Sequence, residues 1–486
     1  MTQTPKRRTA RVAGGFLIAT FVGALGCFVG CSTPSDSSSS APQQVTIPQE
    51  RILDVKLDGS ALKVIGAYVP QSTPTGVQPT PGPGTLDWTF TAADGTTVRG
   101  TVADGRTSES EFAPSGTSAR AEVSQPWMVF SARVPSTAGT FAVPLTGASV
   151  SLGAVTQVSA SAPVASDGST LSPAPSGTDA PPDGVRKLRD SSATCPFNVL
   201  IVPEAFTDMG AFRTRAEQVA NDIVTSSEYG TYASGFVFWS QDFVSRDGSI
   251  FDPGDNRAKS TAFGVSFGSG DPNSAERRII YPRNALSDET TNRLRTGARY
   301  TKADIILIIV NTPEYGGVKS QFLGITYVTV TNNAQGNRVI LHEMGHGLLS
   351  LADEYTDGTC DRSRVESPNT SARLDALPWK DMVTPSNPLP TPQGTAGVGA
   401  FEGAAYCTTG VYRPAHTCLM KELSTGFCPV CARQLRNVFG PRSSGGDAGA
   451  SDAGGSDSGG GLVNGGDGGG LYNPGGSLVC PTRALF

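Results

Sequence analysis

Two of the three histidines in the 486-residue chain lie four residues apart, in the stretch VILHEMGHGLLSLADEY (339–355). They are His342 and His346, and Glu343 directly follows the first. Residues four apart share one face of an α-helix, so both imidazoles can bind the same metal ion. A catalytic zinc site takes three protein ligands and a water molecule, and a neighbouring carboxylate can accept the proton of that water. The pattern predicts one catalytic zinc per chain, with Glu343 as general base.

Several side chains are candidates for the third zinc ligand. Asp353 and Glu354 are the nearest carboxylates, and His416 is the remaining histidine. On an unbroken helix Asp353 would lie about 10 Å further along the axis than His346. Asp353 can therefore bind the same ion only if the chain turns back after the helix; otherwise it would orient a histidine from outside the ligand set. We expect Asp353 to be the ligand, with Glu354, His416 and Glu402 as alternatives.

The surrounding sequence predicts an α/β domain over residues 195–440. Helical spacing of apolar residues predicts a helix at 209–230 and a second, carrying the histidines, at 338–352. Short apolar runs predict buried strands at 197–203, 235–244, 303–311 and 324–333. This alternation predicts a mostly parallel sheet with flanking helices.

The rest of the chain divides by composition. Residues 46–160 alternate apolar and polar side chains between turn residues, which predicts an all-β, sandwich-like domain. This domain has no cluster of titratable side chains, so we expect an accessory role. Residues 161–194 are rich in Pro, Ser and Gly and predict a linker. Residues 441–486 are mostly Gly, Asp, Ser and Ala and predict a disordered tail.

The N-terminus has the pattern of an export signal. Basic residues among the first 11 positions precede an uncharged apolar stretch that ends at Cys31. This arrangement resembles a bacterial lipoprotein signal, with Cys31 attached to lipid and the serine-rich residues 32–45 as a tether. Lipidation at Cys27, a plain secretory signal and an uncleaved anchor helix are the alternatives. Each of them predicts an exported protein, either held in the cell envelope or secreted.

Export bears on the remaining cysteines. Six of the seven that follow Cys31 lie from Cys360 onward, which in an oxidising compartment predicts disulfides. Cys428 and Cys431 could instead form half of a zinc knuckle, although no second Cys-x-x-Cys is present. A redox role for this motif would require a thioredoxin-like βαβ setting, which the sequence lacks.

The charge of the chain excludes one class of partner. The net charge is −5, and Lys and Arg do not cluster as a nucleic-acid-binding surface requires. The sequence carries no indication of the oligomeric state.

The catalytic region is similar to a known enzyme family. HEMGHGLLSLADEY, followed by FEGAAYCTTGVYRPAHTCLMKELSTGFCPVC (401–431), resembles the IgA-peptidase family of zinc metallopeptidases. NTPEYGG (311–317) resembles the family's sequence before the active-site helix, whereas VPEAF (202–206) departs from the family pattern. The resemblance covers about residues 195–440. It implies a zincin-like catalytic domain, a mixed sheet plus the active-site helix, in an endopeptidase whose substrate is a protein or peptide. It also implies that the strand at 324–333, directly before the histidine helix, is the sheet edge on which an extended peptide binds.

The resemblance also implies roles for three residues outside the histidine helix. Met420 corresponds to the methionine beneath the metal in related zincins. Tyr412 and Arg413 would donate hydrogen bonds to the oxyanion of the transition state. Packing and ion pairing are the alternative roles for these side chains.

A second hypothesis assigns the chain no catalysis. It would then be a surface lipoprotein that binds protein or glycan through the β-rich domain, with an idle zincin domain. The presence of Glu343 favours the enzyme, because an idle relative would not need the base.

Overall fold

The computed structural model describes most of the chain between residues 48 and 443. The described ranges are 48–70, 85–110, 121–159, 166–173, 180–193, 195–332, 335–356, 360 and 365–443. The predicted export signal with Cys27 and Cys31, the predicted tether at 32–45 and residues 444–486 of the predicted tail lie outside them. Residues 441–443, the start of the predicted tail, belong to a helix that ends at Ser443. Within the described ranges, no helix has both the length and the apolar character of a membrane span.

Two antiparallel sheets form the first part of the chain. Its strands are β1 (Glu50–Asp58), β2 (Ala61–Tyr68), β3 (Thr85–Ala92), β4 (Thr97–Ala103), β5 (Thr107–Ser110), β6 (Ala121–Ser124), β7 (Trp127–Pro135), β8 (Gly139–Val143) and β9 (Ala148–Leu152). One sheet has the order β2–β1–β7 and the other β4–β3–β8–β9. Side chains from both, including Leu53, Trp88 and Phe141, form one buried core. Buried and less buried side chains alternate along β3, as its sequence pattern predicts, whereas β1 and β7 are buried along most of their lengths.

The second part of the chain contributes six strands to a sheet of eight, and β5 and β6 of the first part complete it. The remaining strands are β10 (Gln157–Val158), β11 (Thr170–Leu171), β12 (Val185–Arg189), β13 (Phe197–Glu204), β14 (Phe236–Gln241), β15 (Val265–Phe267), β16 (Ile280–Pro282), β17 (Ile305–Val310), β18 (Gly317–Phe322), β19 (Ile325–Thr331), β20 (Phe401–Ala404) and β21 (Cys407–Arg413). The large sheet has the order β12–β14–β13–β17–β19–β18–β5–β6, and the pairs β10–β11, β15–β16 and β20–β21 form small sheets.

The centre of the large sheet is parallel, and its flanks are antiparallel. The four predicted buried strands are confirmed as β13, β14, β17 and β19, which lie side by side and run parallel. Every side chain of β17 is buried, which explains its uninterrupted apolar sequence. β12 and β18 pair antiparallel at the two sides, so the sheet is mixed.

The expectation that the strand before the histidine helix is a sheet edge is wrong. β19 pairs with β17 on one side and with β18 on the other, and all its side chains are buried. β18 has the sequence GVKSQF, in which buried and half-buried residues alternate. It contains no continuous apolar run, so the sequence did not predict it as a strand. Beyond it, the β5–β6 hairpin of the β-rich region extends the sheet.

Part of the predicted linker is an edge strand. β12 lies inside residues 161–194 and pairs with β14, with Val185 opposite Gln241. An edge strand covered on one face needs few apolar side chains, and in VRKLR only Val185 is fully buried. Composition alone therefore did not distinguish this strand from a linker.

Helices cover the large sheet. They are α1 (Met209–Thr225), α2 (Asp288–Thr301), α3 (Gly336–Leu349) and α4 (Pro429–Ser443). Short 3-10 helices lie at Pro144–Thr146, Gly230–Gly235, Ala275–Arg278, Leu374–Ala376 and Lys380–Met382. The predicted helices at 209–230 and 338–352 are confirmed as α1 and α3, with shorter C-terminal ends. One face of α3, including Val339 and Met344, packs in a core shared with α1 and α4.

Candidate active site

α3 places the two histidines side by side in the interior of the protein. His342 and His346 are both buried, and their Nε2 atoms lie 2.8 Å apart. The second ring nitrogen of each faces a backbone carbonyl. His342 Nδ1 is 3.0 Å from the Leu419 oxygen, and His346 Nδ1 is 2.6 Å from the Leu351 oxygen. A carbonyl only accepts hydrogen bonds, so each Nδ1 carries the hydrogen and each Nε2 presents a lone pair.

The chain reverses direction directly after α3. Ser350 caps the helix in the left-handed conformation with φ 55°, and its N–H donates to the carbonyls of Gly345 and His346. The reversal brings the buried Asp353 back to the histidines. Its Oδ1 lies 3.2 Å from His342 Nε2 and 3.3 Å from His346 Nε2. The structure thus brings together His342, His346 and Asp353, the three side chains expected to bind the metal.

The donor atoms of this group fit a divalent metal ion. Two imidazole lone pairs and a carboxylate oxygen would repel one another at these distances, and a shared cation removes the repulsion. Ligands bound at ~2.0–2.1 Å in a tetrahedron lie about 3.3 Å apart, which matches both His–Asp distances. Two histidines and one carboxylate form a ligand set of catalytic zinc sites.

The side chains of Tyr406 and Asn369, for which the sequence predicts no role, hold the Asp353 segment together with the backbone of Ala405. The Tyr406 hydroxyl donates to Asp353 Oδ2 at 2.6 Å, and the Ala405 N–H donates to the Asp353 carbonyl at 2.9 Å. Ala405 and Tyr406 both adopt positive φ, which turns the chain toward the site. Asn369 binds the carbonyl and N–H of Ala352 at 2.8 Å each and donates to Glu354 at 2.9 Å.

Sequence signals for these two residues differ in strength. Tyr406 lies within FEGAAYC, a stretch that resembles the family but whose pattern indicates no role for the tyrosine. The Asn369 segment contains no recognised motif.

Glu343 is buried on α3, next to His342 in sequence. The hydroxyl oxygen of Tyr315 is buried and has no hydrogen-bond partner among the described residues. Burial, and secondarily the charge of Glu343, raise the pKa of the Tyr315 hydroxyl well above its usual range. A tyrosine hydroxyl is protonated at neutral pH even without this shift, so Tyr315 is a hydrogen-bond donor. It lies in the NTPEYGG stretch, whose pattern alone indicates no role for an individual side chain.

Met420 lies beneath the histidine helix. Its Sδ is 2.7 Å from the position that a Cβ on Gly345 would occupy, so a glycine at this point lets the methionine approach the helix backbone. The adjacent Leu419 provides the carbonyl that faces His342 Nδ1. Met420 thus supports the two-histidine segment of α3 from below.

The other candidates lie in different surroundings. Glu354 is buried with three cysteines rather than with the histidines. His416 is half-buried beside Gln393, and the exposed Glu402 accepts from the Gly410 N–H. Tyr412 exchanges backbone hydrogen bonds with Ser371 and packs beside the core.

Arg413 is buried in a hydrogen-bonding position. Its guanidinium donates to the carbonyls of Glu402 and Gly403 and to Gln393 Oε1. Burial lowers the pKa of Arg413. These contacts hold the guanidinium in place, and the oxyanion role of Arg413 stays a prediction.

The cysteines follow the disulfide expectation in part. Cys360 is joined to Cys407, and Cys195 is also disulfide-bonded. Cys418, Cys428 and Cys431 are buried free thiols. The prediction of disulfides is therefore wrong for these three cysteines. It rested on their closeness in sequence to the other cysteines and on the predicted export, and neither feature distinguishes a free thiol from a disulfide.

Comparison with known proteins identifies the family. A family model described as IgA Peptidase M64 matches residues 187–397 and 393–439, which together span more than half of the chain. No curated protein matches the chain. The matched region contains α3, Asp353, Tyr406 and Met420. The family points to a metallopeptidase, which requires a metal, and the two histidines and Asp353 are a candidate group of ligands for it. The chain belongs to the IgA peptidase M64 family.

Proposed function

We propose that this protein is an exported zinc-dependent endopeptidase in which His342, His346 and Asp353 hold the metal and Glu343 is the general base. The observation that carries the proposal is the convergence of three buried donor atoms, with each histidine Nδ1 facing a carbonyl. This tautomer leaves the lone pairs of both Nε2 atoms, which lie 2.8 Å apart, available to one metal ion. Membership in a peptidase family supplies the reaction class.

Each residue has a defined task in peptide hydrolysis. His342, His346 and Asp353 would hold a zinc ion, which would lower the pKa of a water molecule and polarise the scissile carbonyl. Glu343, held next to His342 by the helix, accepts a proton from the attacking water and passes it to the departing amine. Tyr406 and Asn369 hold the Asp353 segment against α3. The oxyanion role of Tyr412 stays a prediction.

The cellular location is part of the proposal and is supported by the N-terminal sequence. The basic and apolar stretches before Cys31 favour export and lipid anchoring, and secretion is the alternative. The substrate class is protein or peptide, as expected of a peptidase family member. The competing hypothesis, an idle surface protein that binds protein or glycan, is disfavoured by the burial of Glu343 beside the metal-binding group.

Hydrolysis of casein or gelatin tests this proposal. The purified full chain should cleave the protein substrate, lose activity on dialysis against a chelator and regain it with added zinc. Glu343→Gln is the matched inactive control, because it keeps the side-chain size but cannot accept a proton. A wild-type chain that holds zinc at the histidines and shows no hydrolysis of any protein substrate would favour the idle binding protein.

A further inference from the structure

A second cluster of potential metal ligands lies close to the candidate active site. It consists of Glu354, Cys418, Cys428 and Cys431, all of them buried. One ligand atom from each lies within 4.8 Å of all the others. The four residues come from three segments: the loop after α3, the turn that leads to Met420, and the first turn of α4. None of them belongs to the histidine group.

The distances in this cluster differ from those of a disulfide and match those of a tetrahedral metal site. Cys418 Sγ and Cys431 Sγ lie 3.6 Å apart. A disulfide requires about 2.05 Å, whereas two thiolates on one zinc ion lie about 3.8 Å apart. Cys431 Sγ lies 3.4 Å from Glu354 Oε1, where a zinc-bound thiolate and carboxylate would be separated by about 3.6 Å.

The arrangement of donors also favours thiolates. The backbone N–H of Cys428 donates to Cys418 Sγ at 3.3 Å, a contact that stabilises a negative sulfur. Cys428 directly precedes α4, and Cys431 lies in its first turn. The partial positive charge of a helix N-terminus favours thiolates at these positions. Cys-x-x-Cys at such a turn is a common half of zinc sites.

Glu354 provides an independent observation. Its Oε1 accepts from Asn369 at 2.9 Å, but Oε2 is buried with no hydrogen-bond partner among the described residues. A buried carboxylate oxygen without a partner is costly unless a cation or donor is present. One disulfide among three thiols would leave the third thiol and this carboxylate as they are, whereas one metal ion engages all four side chains.

We propose that Glu354, Cys418, Cys428 and Cys431 bind a second metal ion, a structural zinc. Three soft sulfur donors select zinc over calcium or magnesium, and four protein ligands leave no open position for substrate. The ion would tie α4 and the Met420 turn to the loop that carries Asp353. The hydrogen bond from the Glu354 N–H to the Met420 carbonyl at 2.7 Å already joins two of these segments.

The test uses the full chain with the active-site metal removed. In His342→Ala/His346→Ala, the proposed cysteine site is intact, so metal analysis should find about one zinc per chain. Replacement by cobalt should give an intense sulfur-to-cobalt charge-transfer band, which nitrogen and carboxylate ligands do not produce. Adding Cys418→Ser to this variant should remove both the zinc and the band. These readouts do not depend on peptidase activity, so they are separate from the test of the proposed function.

Mass spectrometry after alkylation shows whether the three cysteines bind a metal, form a disulfide or remain reactive thiols. In the native His342→Ala/His346→Ala variant, Cys418, Cys428 and Cys431 should resist alkylation and become reactive after chelation. A disulfide between any two of them, or reactive thiols without bound metal, would overturn the proposal. If the Cys418→Ser chain fails to fold, the zinc content and cobalt spectrum of the parent variant still decide the question.

Discussion

Asp353 and Glu354 are consecutive carboxylates in one loop, yet they enter different clusters. Asp353 faces two imidazoles, and Glu354 faces three thiols. Asn369 fixes the loop on both sides of Asp353. Its side chain forms hydrogen bonds with the backbone of Ala352, which precedes Asp353, and with the side chain of Glu354, which follows it. The comparison shows how one loop can serve two chemistries. In the proposed assignments, two nitrogen donors and one oxygen donor leave the fourth zinc position to water or substrate, whereas three sulfur donors and one oxygen donor fill all four positions of a structural zinc.

Removing a histidine should have the largest effect and should separate the two clusters. His342→Ala should lower the zinc content by one equivalent and reduce protein hydrolysis to assay background, because an aspartate and one imidazole bind zinc weakly. The cysteine cluster should keep its zinc. Metal analysis and casein hydrolysis on the same sample measure both effects. If His342→Ala kept its full zinc content, the assignment of His342 as a zinc ligand would be contradicted.

The adjacent carboxylates provide the sharpest comparison. Asp353→Ala should empty the active-site position and abolish hydrolysis, with partial recovery in excess zinc. Glu354→Gln should keep the active-site zinc and weaken metal binding only at the thiols. Zinc titration of both variants after dialysis against a chelator checks this. Tight stoichiometric zinc at the histidines in Asp353→Ala would move the third ligand elsewhere.

Tyr406→Phe should have an intermediate effect. The substitution removes only the hydrogen bond to Asp353 Oδ2 and keeps the ring. Loss of such a support lowers zinc affinity by ~10–100-fold. Activity at saturating zinc should therefore return close to that of the wild type. A variant whose zinc affinity is unchanged would show that the hydroxyl does not position the carboxylate.

The contact beneath α3 should produce the smallest effect. Gly345→Ala adds a methyl group at 2.7 Å from Met420 Sδ, so the free energy of unfolding should fall by ~1–3 kcal/mol. In the Met420→Ala background the added methyl has room, and the same substitution should cost less. Urea unfolding of the two single variants and the double variant measures this coupling. Strictly additive effects would contradict the contact.

The sequence predicts those parts of the fold that depend on local patterns. The apolar run at β17 and the helical spacing of His342 and His346 are local, and both appear in the structure as expected. The outer strands escape prediction because burial on one face leaves little apolar signal, as in β12 and β18. Their pairing is also non-local, since the β5–β6 hairpin comes from the β-rich region.

The candidate site shows the same division. His342 and Glu343 follow from spacing on one helix, but the approach of Asp353 depends on Ser350 in a left-handed conformation, which glycine adopts more readily than serine. Tyr406 and Asn369 reach the site from positions more than ten residues away in sequence. The sequence does not predict that Cys418, Cys428 and Cys431 form a cluster of thiols rather than disulfides. The spacing of cysteines is the same whether they bind one metal ion or form disulfide bonds.

The most direct test of the central claim is Glu343→Gln, measured for both zinc content and peptide hydrolysis. The variant cannot accept the proton of the attacking water at neutral pH, although it keeps the size of the side chain and its hydrogen-bonding capacity. We predict wild-type zinc content and thermal stability, with hydrolysis lower by ~10²-fold or more. Wild-type hydrolysis by Glu343→Gln at equal zinc content would contradict the proposed mechanism.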